Sequence, residues 1–433
     1  MITLLRVKWG RVCSSSLARN AAWMTVGQTT SYLLQGIYFV VVARLLGAVE
    51  YGVFAGAFAF VNLVARYGTL GTGTVLVRYV SVDRKLFPFY WGNVVVVTSG
   101  GGIIMLLILH LVGRHVLNPA SAAIVLLAAL ANCFGTQFNT CAAQVFQASE
   151  QMGISAMLNL LTNLLRAFAA TALLLFFHRV TAWQWAVIST VVSLIGAAAA
   201  VAGILVRFGM PRFSADLLRR RSLEGAEFAF ASSTTSAYND LDKAMLSHYG
   251  MNGANGIYTL AYRAVDVASM PIYSLLAAAM PRFFRKGVDG LPEAAAFARR
   301  LWKPSFVFSV LAALSLFFIA PLIPRFTGRS FGEATAALRW LCLIPVFRGV
   351  HEVTGSALTG AGLQRYRTAT QVAAVALNLI LNLWLIPLHG WRGAAWSSLA
   401  TDGALGAMNW ATMRLLVSKS GERNPRQLVT SGP

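Results

Sequence analysis

Apolar residues dominate this chain in long runs, separated by short polar breaks. Twelve runs approach the roughly 20 residues that carry a helix across hydrocarbon. They cover approximately 22–43, 50–67, 90–112, 121–146, 154–177, 184–206, 226–248, 256–280, 303–324, 336–358, 368–388 and 393–415. Each predicts one membrane-spanning helix. The breaks differ from one another in charge, and that difference sets orientation. With the N-terminus inside, the inner breaks hold Arg6, Lys8, Arg11 and Arg19, then Arg78, Arg84 and Lys85. Further along they hold Arg212 with Arg219, Arg220 and Arg221, then the run from Arg282 to Lys303, then Arg365 and Arg367, and finally Lys419, Arg423 and Arg426. The outer breaks carry only scattered arginines such as Arg44, Arg114 and Arg179. Basic residues concentrate on the side from which a chain is inserted, so both termini are expected inside. Trp91, Trp183, Trp302 and Trp391 fall near segment starts, where an indole favours the interface.

Composition agrees with this reading. The 433 residues are 57% hydrophobic and only 12% charged, against about 25% charged in soluble proteins. The net charge of +21 would suggest nucleic acid in a soluble chain. Here it follows the loops, so it reads as topology and attraction to anionic lipid, with no nucleic-acid partner expected. Cys13, Cys133, Cys141 and Cys342 show no metal or redox spacing, and no metal site is expected.

The longest charged connector divides the chain. The expected domains are a basic amphipathic lead-in (1–20), a lobe of six spans (21–206), a basic connector (207–225), a second lobe of six spans (226–416) and a tail (417–433). The halves resemble each other without gaps: Gly52, Ala57, Phe58 and Arg78 fall on Gly256, Ala261, Tyr262 and Arg282. An even number of spans per copy leaves both in one orientation, with a pseudo-axis along the membrane normal. The fold class is therefore an all-α polytopic membrane protein of about twelve transmembrane helices in two pseudo-symmetric six-helix lobes.

Motifs for chemistry are absent. Gly-Lys does not occur, which removes a Walker A loop, and "GTLGTG" (68–73) lacks the strand–helix setting of a dinucleotide site. No enzymatic activity is expected. The informative residues are polar ones at membrane depth, because an ionisable group at a helix centre costs about 2.5–3.5 kcal/mol on insertion scales. Gln28, Tyr32 and Gln35 share one face of span 1, and Ser232, Ser236, Asn239 and Lys243 continue the same stripe at the repeat position in span 7. Asn159, Asn163 and Arg166 share a face of span 5, and Asn378 and Asn382 a face of span 11. Such stripes line a cavity or bond neighbouring helices. Arg263 with Asp266, and Arg348 with Glu352, have the spacing of internal ion pairs. The stretch "NDLDKAMLSHYG" (239–250) places Asp240, Asp242 and Lys243 together toward the outer end of span 7.

Four stretches carry a resemblance: "LLGAVEYGVFAGAFAFVNL", "YNDLDKAMLSHYGMNGANGIYTLAYRAVD", "ALTGAGLQRYR" and "LNLILNLWLIPLHGWRGAAWSSLATD". They resemble the polysaccharide transporter family, the O-antigen and exopolysaccharide flippases of the multidrug/oligosaccharidyl-lipid/polysaccharide exporter superfamily. The resemblance implies two lobes in a V around a central cleft lined by spans 1, 2, 7 and 8. It implies an undecaprenyl-diphosphate-linked oligosaccharide flipped to the outer leaflet of a bacterial cytoplasmic (inner) membrane. Span 1 lacks the dense basic residues that lipid II flippases place there, which argues against that substrate.

The expectations that follow are specific. Gln28, Tyr32, Gln35 and Asn239 contact sugar; Lys243, Arg166 and Arg263 supply positive charge for the diphosphate. Asp240 and Asp242 bind the coupling H⁺ or Na⁺, and no other cofactor is required. Membrane lipids, a polysaccharide polymerase and chain-length proteins are the expected partners. The alternatives are a multidrug or cation antiporter of the same superfamily, and a membrane-embedded glycan ligase or polymerase.

Overall fold

Hydrocarbon offers no partner for backbone N–H and C=O groups, so a chain this apolar must satisfy them within helices or a closed barrel. This one uses helices, and no strand occurs among the described residues. The structure, a computed structural model, describes residues 16–177 and 179–423. Most of the expected lead-in and the end of the tail lie outside those residues.

Helix α1 runs Ser16–Val64, broken at Gly47, whose φ of 73° and ψ of 170° are not helical. The first two expected spans fall on either side of that glycine. A 3₁₀ turn, Ala65–Thr69, and two left-handed residues, Leu70 and Gly71, lead into α2 (Thr72–Val80). The second span is thus longer than its sequence suggests, and bent. Next come α3 (Phe87–Val116), α4 (Pro119–Ala122), α5 (Val125–Ala129), a π-helical turn (Leu130–Thr136) and α6 (Gln137–Ala148). Helices α7 (Met152–Phe176), α8 (Ala182–Phe208) and α9 (Ala215–His248) follow. Thr181 and Gln184 close a reciprocal cap at the start of α8.

Helices α10 (Asn252–Ala268) and α11 (Met270–Val288) meet at a bend of 42°. Pro271, at the start of α11, has no N–H to continue the ladder. The chain continues through α12 (Leu291–Ile319), α13 (Ile323–Thr327), α14 (Ala334–Leu341), α15 (Ile344–Gly360), α16 (Gln364–His389) and α17 (Trp391–Arg423). Every expected segment coincides with helix. By length and composition, six described helices are apolar enough to cross a membrane, or seven if the bent pair forms one span. The other segments are broken or carry polar residues, as α9 and α15 do.

The chain divides into two compact units, one ending at Gly253 and the other beginning at Ala254. Helix α9, the seventh expected span, packs on α1, the 65–69 turn and α2 within the first unit. The interior of the first unit is rich in small residues, among them Ala57, Ala128, Ala142 and Ala186. The second unit repeats this with Ala294, Ala298 and Ala357. Large side chains such as Ile103, Leu107, Phe168, Phe318 and Ile380 point outward. Lipid provides no hydrophobic drive for helix association, so close approach between small residues supplies the contact instead.

One such close approach holds α9 to the bend of the second span. A Cβ on Gly225 would lie 2.3 Å from the Leu70 carbonyl oxygen, and one on Gly71 would lie 2.3 Å from the Gly225 carbonyl oxygen. Gly71 also has a φ of +62°, which favours glycine. Gly225→Val should therefore destabilise the first unit by roughly 1–3 kcal/mol, as overpacking does. Gly100→Ala, with nothing within 4 Å of the added carbon, should be silent. Thermal unfolding in detergent separates them; equal midpoints would show that the crossing is not tight.

Candidate functional site

Three polar clusters lie within these units, each assembled where a helix is broken or closely approached. The first is built on the last turns of α9. Lys243 is 2% exposed. Its ammonium donates to the carbonyl oxygen of Asn239 and lies 3.3 Å from Asp240 and 3.4 Å from Asp242. Asp242 also accepts from the Lys243 backbone N–H at 2.7 Å, and Asp240 accepts from Asn62 of α1 at 3.2 Å. One turn beyond Asn62, Arg66 donates its Nε–H to Ser236 at 2.9 Å and is otherwise exposed. Two carboxylates and two cations thus balance. The end of α9 is fixed by Asn118, which donates to the Ser247 carbonyl oxygen at 2.6 Å and to Asn252 at 3.0 Å.

The second cluster surrounds Arg166. It is a cavity of about 150 Å³ between the π-helical turn, α6, α7 and α8, lined by Thr136, Asn139, Thr162, Asn163, Arg166 and Ser193. Arg166 donates to Ser193 at 2.6 Å, and Asn139 donates to Thr162 at 3.1 Å. The Arg166 Nε–H and the Asn139 side-chain oxygen have no hydrogen-bond partner among the described residues. Both atoms are buried, on residues that line this polar hollow. The π turn, a feature frequent at functional sites, forms one wall.

The third cluster lies in the second unit. Arg348, 3% exposed, donates to Asp266 at 2.9 Å and to the Tyr262 hydroxyl at 2.9 Å. Arg263 approaches the other oxygen of Asp266 at 3.4 Å, as its spacing predicts. The expected Arg348–Glu352 pair does not form. Arg348 reaches α10 instead, and Glu352 accepts from Arg367 of α16 at 2.9 Å. His351 lies 3.4 Å from Asp402, which is 1% exposed. Among the described residues, no group of three or more His, Cys, Asp and Glu is placed to hold a metal.

The candidate residues thus separate. Asn239, Asp240, Asp242 and Lys243 are brought together, Arg166 has its own cavity, and Arg263 belongs to the Asp266 network. Gln35 is partly exposed on α1, while the side chains of Gln28 and Tyr32 lie outside the described residues. Asn378 and Asn382 are buried; Asn382 donates to Asn378, which donates to Thr401 of α17 at 3.2 Å. That stripe joins helices. Two residues were missed. Arg66 looks like a span terminus until the break at Gly71 extends the helix past it. Asp402 is the sole acidic residue in its run, 393–415, a signal that was readable.

A family model described as "Polysaccharide biosynthesis protein" matches residues 17–286. No curated protein matches the chain. Among solved structures, the fold resembles an inward-facing multidrug resistance MATE family transporter of the MOP superfamily, with a TM-score of 0.73 at 15% identity, covering 92% of this chain and 96% of that one. An outward-facing member aligns with a TM-score of 0.65 at 14% identity, covering 94% and 96%. DinF-BH, a MATE multidrug transporter in complex with R6G, gives 0.65 at 14%, covering 94% and 95%. The architecture is that of a multi-pass helical membrane protein with the fold of these transporters. The chain belongs to the polysaccharide biosynthesis protein family.

The ion pairs differ in weight. Truncating one partner of a buried pair costs about 3–5 kcal/mol because the other charge is stranded. Asp266→Ala, which strands the buried Arg348, should therefore lower the unfolding midpoint sharply, whereas Lys286→Ala, whose pair with Glu293 is half exposed, should leave it nearly unchanged. Matching midpoints in a detergent melt would remove Arg348 from the core of the second unit.

Proposed function

We propose that this protein is a transporter that flips an undecaprenyl-diphosphate-linked oligosaccharide from the inner to the outer leaflet of a bacterial cytoplasmic membrane, by alternating access. Its products would feed cell-surface polysaccharides of the O-antigen, lipopolysaccharide or exopolysaccharide kind. The observation that carries this reading is the Arg166 cavity, where a guanidinium stands among hydroxyls and amides. Sugar hydroxyls both donate and accept, and a diphosphate takes the positive charge. A polar head cannot cross about 30 Å of hydrocarbon unaided, whereas the prenyl tail can remain in lipid.

In this reading Arg166 meets the diphosphate, Arg66 adds positive charge beside Ser236, and Gln28, Tyr32, Gln35 and Asn239 meet sugar. Lys243, engaged by two carboxylates, positions the end of α9 instead of touching substrate. Arg263 adds positive potential beside Asp266. Asp240, its side chain 13% exposed against 1% for Asp242, takes the coupling proton or Na⁺. Its neutralisation would loosen Lys243 and Asn62. A polymerase and chain-length proteins would act on the product.

A second reading, a multidrug antiporter, is favoured by the fold of the solved structures. A guanidinium in the cavity repels the organic cations it would carry.

In cells lacking the protein, lipid-linked repeat units should accumulate on the inner leaflet. Arg166→Ala at normal expression should restore export roughly tenfold less well than the intact protein, the scale of a lost charged hydrogen bond. Asp240→Asn should remove dependence on the ion gradient. Accumulation on the outer leaflet would point to a ligase or polymerase. Drug sensitivity with normal glycan export would point to the antiporter.

A further inference from the structure

On the second unit, an apolar groove of about 490 Å³ runs between α12, α15 and α17. Buried Val353, Thr354 and Gly406 form its floor, and Trp302 and Trp410, each 43% exposed, form its walls. At one end it reaches Arg299 and meets a second hollow of about 380 Å³ that includes Met413, Arg414 and Ser418. Arg299 and Arg414 are exposed and make no ion pair among the described residues. The Arg414 guanidinium lies 3.6 Å from the centre of the Trp410 ring. Trp302 stacks on Phe306 at 5.4 Å.

The placement of these groups narrows the occupant. The apolar run of α12 begins a turn after Arg299, past Arg300 and Lys303, and Arg414 lies in the last turn of the run of α17. Both arginines therefore lie at one end of their spans, beside two indoles, which favour the membrane–water boundary. A hydrocarbon trough leading to two guanidiniums suits a lipid anion. Apart from Thr354 the walls offer little to a sugar. At about 490 Å³ the trough has the volume of one aliphatic chain, less than a polyprenyl tail fills. We infer that the groove holds an acyl chain of an anionic membrane phospholipid, its phosphate resting on Arg299 and Arg414. The bound lipid fills the seam between α12 and α17. This site is separate from the Arg166 cavity and does not depend on what the protein transports.

Native mass spectrometry of the full chain in detergent, with added phosphatidylglycerol or phosphatidylcholine, tests the inference. The intact protein should retain phosphatidylglycerol roughly tenfold better, as expected for two arginines at a membrane surface. An Arg299→Gln, Arg414→Gln double variant should lose that preference. Ala407→Phe, an exposed position on the groove wall, should fill the trough and reduce retention of both lipids without changing the unfolding midpoint. Equal retention of the two lipids by the intact protein would overturn the inference. So would unchanged retention in both variants, or a polyprenyl diphosphate as the bound species.

Discussion

A charge in hydrocarbon must have a partner, and this fold is arranged around supplying one. Arg348 lies deep in the second unit only because Asp266 and Tyr262 meet it from α10. Lys243 is buried in the first unit because two carboxylates and a carbonyl oxygen enclose its ammonium. Such pairs gain little over a well-packed apolar core, yet removing one member strands the other. They therefore fix which helices meet more than they add stability. The small-residue interior completes the arrangement, since helices that carry these groups must approach closely enough to pair them.

Helix breaks fall where polar groups are needed. The break at Leu70 and Gly71 follows Arg66, and the π turn borders the Arg166 cavity. The bend between α10 and α11 follows directly on Asp266. Non-helical backbone at membrane depth is tolerated where protein or a water-filled cavity surrounds it. The Arg166 cavity is a polar hollow beside a buried guanidinium nitrogen that has no hydrogen-bond partner among the described residues. That hollow is what the proposed transport uses.

Much of the fold was legible because apolar runs of spanning length have few other uses in a chain with so few charges. The Arg263–Asp266 pair was legible too, since neighbouring turns of one helix settle it. Partners across helices were not. Spacing offered Glu352 to Arg348, but the guanidinium reaches Asp266, 82 residues away, and Glu352 turns to Arg367. Periodicity placed Asn378 and Asn382 on one face without saying whether water or another helix lay opposite; the packing of α16 on α17 supplies the answer. Arg66 was hidden for a related reason. The polar break after it reads as the end of a span, and only the backbone shows the helix resuming at Thr72.

The account rests on a purified chain moving a polar lipid head across a bilayer. Reconstitution into vesicles holding a fluorescent undecaprenyl-diphosphate-linked oligosaccharide, with an impermeant quencher added outside, measures that directly. The account predicts that quenching proceeds well beyond the outer-leaflet fraction when the protein is present, and that Arg166→Ala slows this second phase. Quenching that stops at the outer leaflet, under every imposed proton or Na⁺ gradient, would contradict it.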